Sequence, residues 1–494
     1  MPKAVVIGAG FAGLSAAAFL AKQGFEVVVL EKNDMPGGRA RTFSSNGFLF
    51  DMGPSWYWMP DVFERFFNRF GKKVSDYYDL IRLNPSYSIF FENNERFNVP
   101  ANMIELEMLF EKREAGSALK LRKFMAESQY KYEVGMRDLV FKPGQSLLEF
   151  ADIRVLSGLF KMQLLSSMST YVRSLFSDSQ LIRLLEFPVL FLGATPQDTP
   201  ALYSLMNYAD LSLGTWYPMG GMHKIVEGMV AVAEEQGAQI KLKHDVNGFE
   251  FDHLNRIKSV VTNHGPISCD VVVGGADYHH LDQELLPKRL QNYTPKYWDS
   301  RKMAPSSLLF YLGIDAEVPG LEHHNLFFDA DFALHAQEIY HQPKWPTKPL
   351  FYVSAPSKTD PSVAPKGKEN VFILIPLAPG LNDSDALREQ YFHLVMDRLE
   401  TRIGFDIRNK IVFKRSYAMQ NFIDDYNSFK GNAYGLANTL SQTAILKPSI
   451  KSKKIKNLYF TGQLTSPGPG VPPSLVSGEV VSKAVCDDLK IPFA

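Results

Sequence analysis

Gly8, Gly10 and Gly13 stand in G-x-G-x-x-G spacing, and Glu31 follows 18 residues after the last of them. Each glycine has its own physical job. The first permits a tight turn, the second lets backbone approach a pyrophosphate, and the third lets a helix close on a strand. Phe11 and Ala12, between them, open that helix. Its free N–H groups and positive dipole end attract an anion. A carboxylate about 20 residues on accepts from a ribose hydroxyl and disfavours a 2′-phosphate, so the ligand implied is a dinucleotide other than NADP.

Further along, Gly37-Gly38-Arg39 offers close backbone and a guanidinium for phosphate oxygens. Asp51-Met52-Gly53-Pro54-Ser55 reads as a strand entering a glycine turn. Near the other end, Leu458 to Phe460 reads as a strand followed by Gly462-Gln463, then the stiff loop Pro467 to Pro473, which contains Gly470, Val471 and Pro472. A helix follows from Ser474. A helix start aimed at a flat ligand would stabilise negative charge on it. No Ser/His/Asp, Cys/His or paired-carboxylate constellation is visible. The adjacent His279 and His280 lack an obvious carboxylate partner, so no metal is assigned.

These groups need elements to hold them. Ala4 to Ile7, Ala12 to Gln23 and Glu26 to Leu30 form a βαβ unit. Ala4 to Ala21 is uncharged. Its glycines and strand pattern fit the nucleotide unit better than a signal peptide or membrane span, and no transmembrane helix is predicted. Val62 to Asp79 and Leu106 to Met136 read as helices. Ile89 to Pro100 reads as a hairpin turning at Asn93-Asn94. Gly220-Gly221 opens a helix to Gln236, closed by Gly237. Short strands follow from Ile240 to Gly274. Ser306 to Ile314, Leu350 to Ala355 and Val371 to Leu377 read as buried strands. Asp383 to Gly404 is a helix capped by Asp383 or Ser384, and Ile411 to Met419 is a further strand.

The chain has 494 residues, more than one core accommodates. Its formal net charge is zero, which argues against bulk nucleic-acid binding. Cys269 and Cys486 cannot build a disulfide scaffold, and they fit a reducing, cytoplasmic compartment.

Leu147 to Leu192 admits two readings. Leu156, Phe160, Leu164, Met168, Val172 and Leu175 share one helical face, widened by Val155, Leu159, Met162 and Leu165. Arg154, Lys161, Arg173 and Arg183 lie among them. The stretch reads as a helical subdomain packed on a core or as a helix pair resting on a bilayer with its cations at the headgroups, and both hold if one face packs and the other is exposed.

The order G-x-G-x-x-G, Glu31-Lys32-Asn33, Gly37-Gly38-Arg39-Ala40-Arg41 and Phe50-Asp51-Met52-Gly53-Pro54 resembles the flavin-dependent amine-oxidase and desaturase superfamily. Thr465-x-Pro467-Gly468-x-Gly470-x-Pro472, followed by Ser477-Gly478, resembles the bacterial all-trans carotenoid desaturases, and Asp51 to Pro60 resembles the phytoene desaturases among them. The resemblance also takes in Gly220-Gly221 and Asn421-Phe422, so it covers nearly the whole chain. One departure is Ser466, where family members often carry histidine, so no imidazole acts there.

The resemblance implies an α/β fold. A discontinuous Rossmann-type FAD-binding domain would be built from 1–80, 217–290 and 445–494. A sheet-based substrate domain would come from 81–145 and 291–444, and a helical membrane-docking subdomain from 146–216. The cofactor implied is FAD. It would be held by Gly8, Gly10, Phe11, Ala12, Gly13, Glu31, Lys32, Gly37, Gly38, Arg39, Gly53, Pro54, Ser55, Val246, Gly462, Gln463, Gly470, Val471 and Pro472. The activity implied is desaturation of a C40 carotenoid such as phytoene, with oxygen or a membrane quinone as electron acceptor and peripheral membrane attachment. Asp152 falls where relatives carry an aspartate suspected of acid/base work. The residues alone fit a helix-start carboxylate as well. A hydrocarbon has no polar handle, so an apolar tunnel beside the ring is expected. A hydroxycarotenoid desaturase, ketolase or saturase could use the same scaffold, and prenyl-lipid escort proteins share the fold class without turnover.

Overall fold

The computed structural model describes residues 1–144, 146, 166–439 and 442–493. A five-stranded parallel sheet runs in the order Leu458–Phe460, Val271–Gly274, Lys3–Ile7, Glu26–Leu30 and Gln239–Lys241. Its central strands are valine runs buried on both faces, the pattern that a covered parallel sheet requires. The helix Phe11–Lys22 crosses the C-terminal helix Val471–Leu489 at very short range. A Cβ on Gly478 would stand 2.5 Å from Ser15 Cβ and 2.6 Å from the Ala12 carbonyl oxygen. Ser15 Oγ donates to the Leu475 carbonyl at 2.7 Å, and Ser482 Oγ to that of Ala16 at 3.2 Å. Small side chains thus tie the two ends of the chain together beneath the nucleotide motif.

A seven-stranded mixed sheet follows, ordered Ile411–Tyr417, Ser306–Ile314, Glu369–Leu377, Phe351–Ser354, His324–Phe328, Tyr87–Phe91 and Arg96–Val99. Its back is covered by the helix Asp385–Ile403, whose N-cap is Ser384, with Oγ accepting from Leu387 N–H. Leu308, Phe310 and Leu312 point into that apolar layer with Phe392, Val395 and Met396. The alternation of a strand sends Ser307 and Leu309 to the opposite face, where Leu326, Tyr352 and Leu374 join them.

Above that face lies a helical layer. The predicted helix 106–136 is two helices, Met103–Arg113 and Ser117–Val134, because Gly116 takes φ +79° and reverses the chain between them. The predicted helix 62–79 ends at Asn68, before the left-handed Gly71. Ser117–Val134 packs on residues far along the chain. Lys131 Nζ donates to the Ala201 carbonyl and Ser204 Oγ, and Tyr171 Oη donates to Glu127.

The first part of the 147–192 stretch, including Asp152, Leu156 and Phe160, lies outside the described residues. In its second part Met168, Val172, Leu181, Ile182, Leu184 and Leu185 are all buried in the main core, and Arg173 faces Glu186 at 3.4 Å. That apolar face packs on protein. Among the described residues no helix is long and apolar enough to cross a membrane.

Candidate functional site

The glycine segments meet at one cleft above the parallel sheet. Gly8 N–H donates to the Leu30 carbonyl at 2.7 Å, and Gly37 N–H to that of Ala9 at 2.7 Å. Gly37 has φ +114°, which only glycine adopts without strain, and a Cβ on Gly38 would stand 3.4 Å from Gly10 Cα. The two glycine turns are therefore stacked. No side chain caps the first turn of the helix at Gly10, so its N–H groups remain open to the cleft. At Gly470, where Val471–Leu489 begins, Pro472 and Pro473 carry no N–H and Ser474 N–H donates to the Gly470 carbonyl at 3.0 Å, so Val471 is left to offer an N–H there.

Gly8, Gly10, Phe11, Ala12, Glu31, Lys32, Gly37, Gly38, Arg39, Val246, Gly462 and Gln463 line this cleft. Gly13 stands behind its wall, where a Cβ would come within 1.9 Å of the Gly8 carbonyl oxygen. Gly53, Pro54, Ser55, Gly470, Val471 and Pro472 line an adjoining cavity instead. Phe11, Arg39, Gln463 and Ser474 belong to both walls.

Glu31 is buried. Its Oε2 accepts from Ala9 N–H at 2.8 Å, and its Oε1 accepts from Asn33 N–H at 3.0 Å and Asn33 Nδ2 at 2.9 Å. A carboxylate has about four lone-pair positions, so one is left for a ligand hydroxyl. Glu31→Ala should raise the flavin Kd ten- to hundred-fold, corresponding to about 1.5–3 kcal/mol for hydrogen bonds to a charged group. Flavin titration by fluorescence quenching checks this, and an unchanged Kd would refute it.

Arg39 Nη2 donates to Ser428 Oγ at 3.0 Å and to the Asn432 carbonyl at 3.2 Å, and with the Gln463 amide turned over, the orientation that satisfies both its atoms, Gln463 Oε1 accepts from it at 2.9 Å. Its Nε is buried without a partner among the described residues. Burial lowers its pKa, opposed by Asp277, and burial also pushes Asp277 up to about 6. An orphaned guanidinium N–H at the junction of cleft and cavity fits a ligand with its own acceptors there.

Asp425, Tyr426 and Asn427 also wall the cleft, and no local pattern points to them. Arg41 Nη2 donates to Asp425 Oδ2 at 2.5 Å, and Lys32 Nζ donates to the Asp424 carbonyl at 2.7 Å. Arg39 and Arg41 lie 5.1 and 5.3 Å from the Tyr426 ring centre. Asp277 and His280 line the cleft too. The strand-to-glycine pattern Val271 to Gly275 could have pointed to them. Cys269 and Cys486 are free and buried.

The adjoining cavity is about 690 Å³ and overwhelmingly apolar. Trp56, Trp58 and Phe187 close one side, Leu309, Leu326 and Leu374 rise from the sheet, and Leu139, Leu190, Leu202 and Met206 come from the helical layer.

The flavin containing amine oxidoreductase family matches residues 11–486. A carotenoid 3,4-desaturase of Haloarcula japonica is 41% identical over 98% of both chains. A zeta-carotene-forming phytoene desaturase of Myxococcus xanthus is 31% identical over 97% of this chain and 93% of its own. The crystal structure of an oxidoreductase from Methanosarcina mazei superposes with a TM-score of 0.64 at 17% identity, covering 97% of this chain and 100% of that one. The chain belongs to the flavin containing amine oxidoreductases, among their carotenoid desaturases. It is an FAD-dependent oxidoreductase, and the cleft's donor set fits that cofactor.

The family loop Thr465 to Pro473 holds a buried cation. Lys447 Nζ donates to Asn438 Oδ1 at 2.7 Å and to the Pro467 carbonyl at 2.5 Å. Burial lowers its pKa from 10.5 to about 7. Between those values the unfolded chain holds a proton that the folded desaturase has released. Stability of the flavin-free protein should therefore rise with pH from about 7 toward 10.5. Lys447→Met should flatten that rise in urea midpoints measured across the window. An equally steep rise in the variant would show that other groups cause it.

Proposed function

We propose that this desaturase introduces C=C bonds into an acyclic C40 carotenoid. The observation that carries the reading is the apolar cavity of about 690 Å³ opening onto the glycine-walled cleft. FAD, when bound, supplies the hydride acceptor. Gly8 to Gly13, Gly37 to Arg39 and Gly462-Gln463 would hold its diphosphate, Glu31 its ribose and Val246 its adenine. Gly53 to Ser55 and Gly470 to Pro472 would face its ring, because they line the cavity side of the junction. The cavity walls would position the polyene by shape and keep water from the reacting carbons.

The 41% identical relative favours the 3,4 bond near one chain end. The Asp51 to Pro60 run and the 31% identical relatives favour phytoene. Incubating the FAD-loaded protein with phytoene or with lycopene separates them. The first reading expects a red-shifted pigment from lycopene and no colour from phytoene, and the second expects colour from phytoene. Failure on both, with flavin bound, would refute the carotenoid assignment.

An insoluble substrate also argues for peripheral contact with a bilayer, with oxygen or a membrane quinone reoxidising the flavin. Liposome co-sedimentation tests the contact, and anaerobic turnover with and without quinone tests the acceptor.

A further inference from the structure

We propose that Ser55 and Asp51 carry the substrate proton out of the apolar cavity through one water held between them. The inference rests on the desaturase reading. Ser55 is a wall residue of two chambers. One is the large apolar cavity, and the other is a side chamber of about 20 Å³ bounded by Asp51, Tyr217, His323 and Ser354. That volume suits one water, and its polar walls offer the partners that a buried water needs.

The hydrogen bonds around Ser55 set a direction. Tyr352 Oη donates to Ser55 Oγ at 3.0 Å, and lies 2.6 Å from His324 Nδ1. With His324 Nδ1 protonated and donating to Tyr352 Oη, Ser55's own proton is turned away from Tyr352. Asp51, across the side chamber, is fixed through its Oδ2 by Met222 N–H at 2.8 Å and through its Oδ1 by His223 N–H at 3.1 Å. Each oxygen keeps a second lone pair.

Desaturation removes a hydride and a proton from adjacent carbons. FAD, when bound, would accept the hydride with its electron pair; the neighbouring C–H of the allylic cation would then be strongly acidic, and a neutral hydroxyl suffices to receive its proton. The C–H bond breaks and its pair becomes the new π bond. The proton joins Ser55 Oγ while Ser55's original proton passes through the water to Asp51. The groups facing Asp51 select it as the store. Burial pushes His323 down to about 3 and His324 well below the usual range, so both stay neutral. Burial holds Tyr217 protonated. Hydrogen bonds from Ser362 and Gly220 overcome burial and hold Asp360 below its usual value, and its charge adds to the burial that raises Asp51 to about 6. Asp51 is thus ionised at neutral pH, within reach of proton uptake and release.

The test uses the full FAD-loaded chain turning over its carotenoid. Wild-type kcat should rise with pH through about 6. Ser55→Ala should lower kcat about 10²-fold at unchanged KM and flavin content, and should lose that acidic limb. Ser55→Thr should restore both. Asp51 also anchors two backbone N–H groups, so Asp51→Asn could unfold the turn, and the Ser55 pair decides instead. Ser55→Ala with wild-type kcat and the same limb would overturn the relay. Loss of flavin from Ser55→Ala would also overturn it, by making Ser55 a cofactor ligand alone. A wild type that turns over no carotenoid would overturn the desaturase reading.

Discussion

Gly13→Ala should give a destabilised protein that carries almost no flavin, whereas Gly10→Ala should give a stable one that carries almost none either. The two glycines are three residues apart and fail for different reasons. A methyl on Gly13 would sit 1.9 Å from the Gly8 carbonyl oxygen and 3.4 Å from Val6 Cγ1. Both belong to the central strand and its exit, which cannot yield without separating helix from sheet. Overpacking of this kind costs about 1–3 kcal/mol, and backbone against backbone belongs at the upper end. The helix start then no longer aims at the cleft. Among the described residues a methyl on Gly10 meets no atom within 4 Å. It occupies only the space over the uncapped helix start, where the diphosphate would lie. Urea midpoints of the flavin-free proteins and flavin absorbance per mole of protein separate the cases. A Gly10→Ala protein with full flavin would place the diphosphate elsewhere.

That contrast shows what was legible in the sequence. The spacing of Gly8, Gly10 and Gly13 announces a turn, an approach and a crossing because each job is local to a βαβ unit. The strands were legible for the same reason. Valine runs at Val5-Val6, Val27 to Val29 and Val271 to Val273 have one use in a chain that alternates strand and helix. Local patterns do not report what arrives from elsewhere. Nothing near Asp425 says that Arg41 will pair with it across 384 positions. Nothing in Leu139, Leu202 or Leu309 alone distinguishes a cavity wall from a core. Helix ends were misjudged where a glycine acts as a stop inside an apolar period, as Gly71 and Gly116 do. Met168 to Leu185 was ambiguous because an apolar helical face reads the same against a bilayer as against protein. The fold buries Met168, Val172, Leu181, Ile182, Leu184 and Leu185 of that face on the main core.

The cavity makes the other large prediction, and the alternation of one strand supplies its control. Leu308 and Leu309 are neighbours on Ser306–Ile314, both buried, with side chains on opposite faces. Leu309 lines the apolar cavity beside Leu374, its partner on the next strand. Leu308 lies in the layer under the helix Asp385–Ile403. Leu309→Trp should therefore grow into empty space, leave the fold and flavin content intact, and lower kcat/KM about 10²-fold by displacing the hydrocarbon from the ring. A substrate without polar groups has no other interaction to hold its register. Leu308→Ala should do the reverse. It should cost about 2–5 kcal/mol of stability through the cavity left under the helix, while the protein that remains folded turns over normally. Pigment formation per mole of bound flavin, set beside urea midpoints, reads both at once. If Leu309→Trp kept wild-type kcat/KM, the polyene would not lie along this wall. Equal kinetic losses in both variants would mean that turnover tracks general stability rather than the shape of the channel.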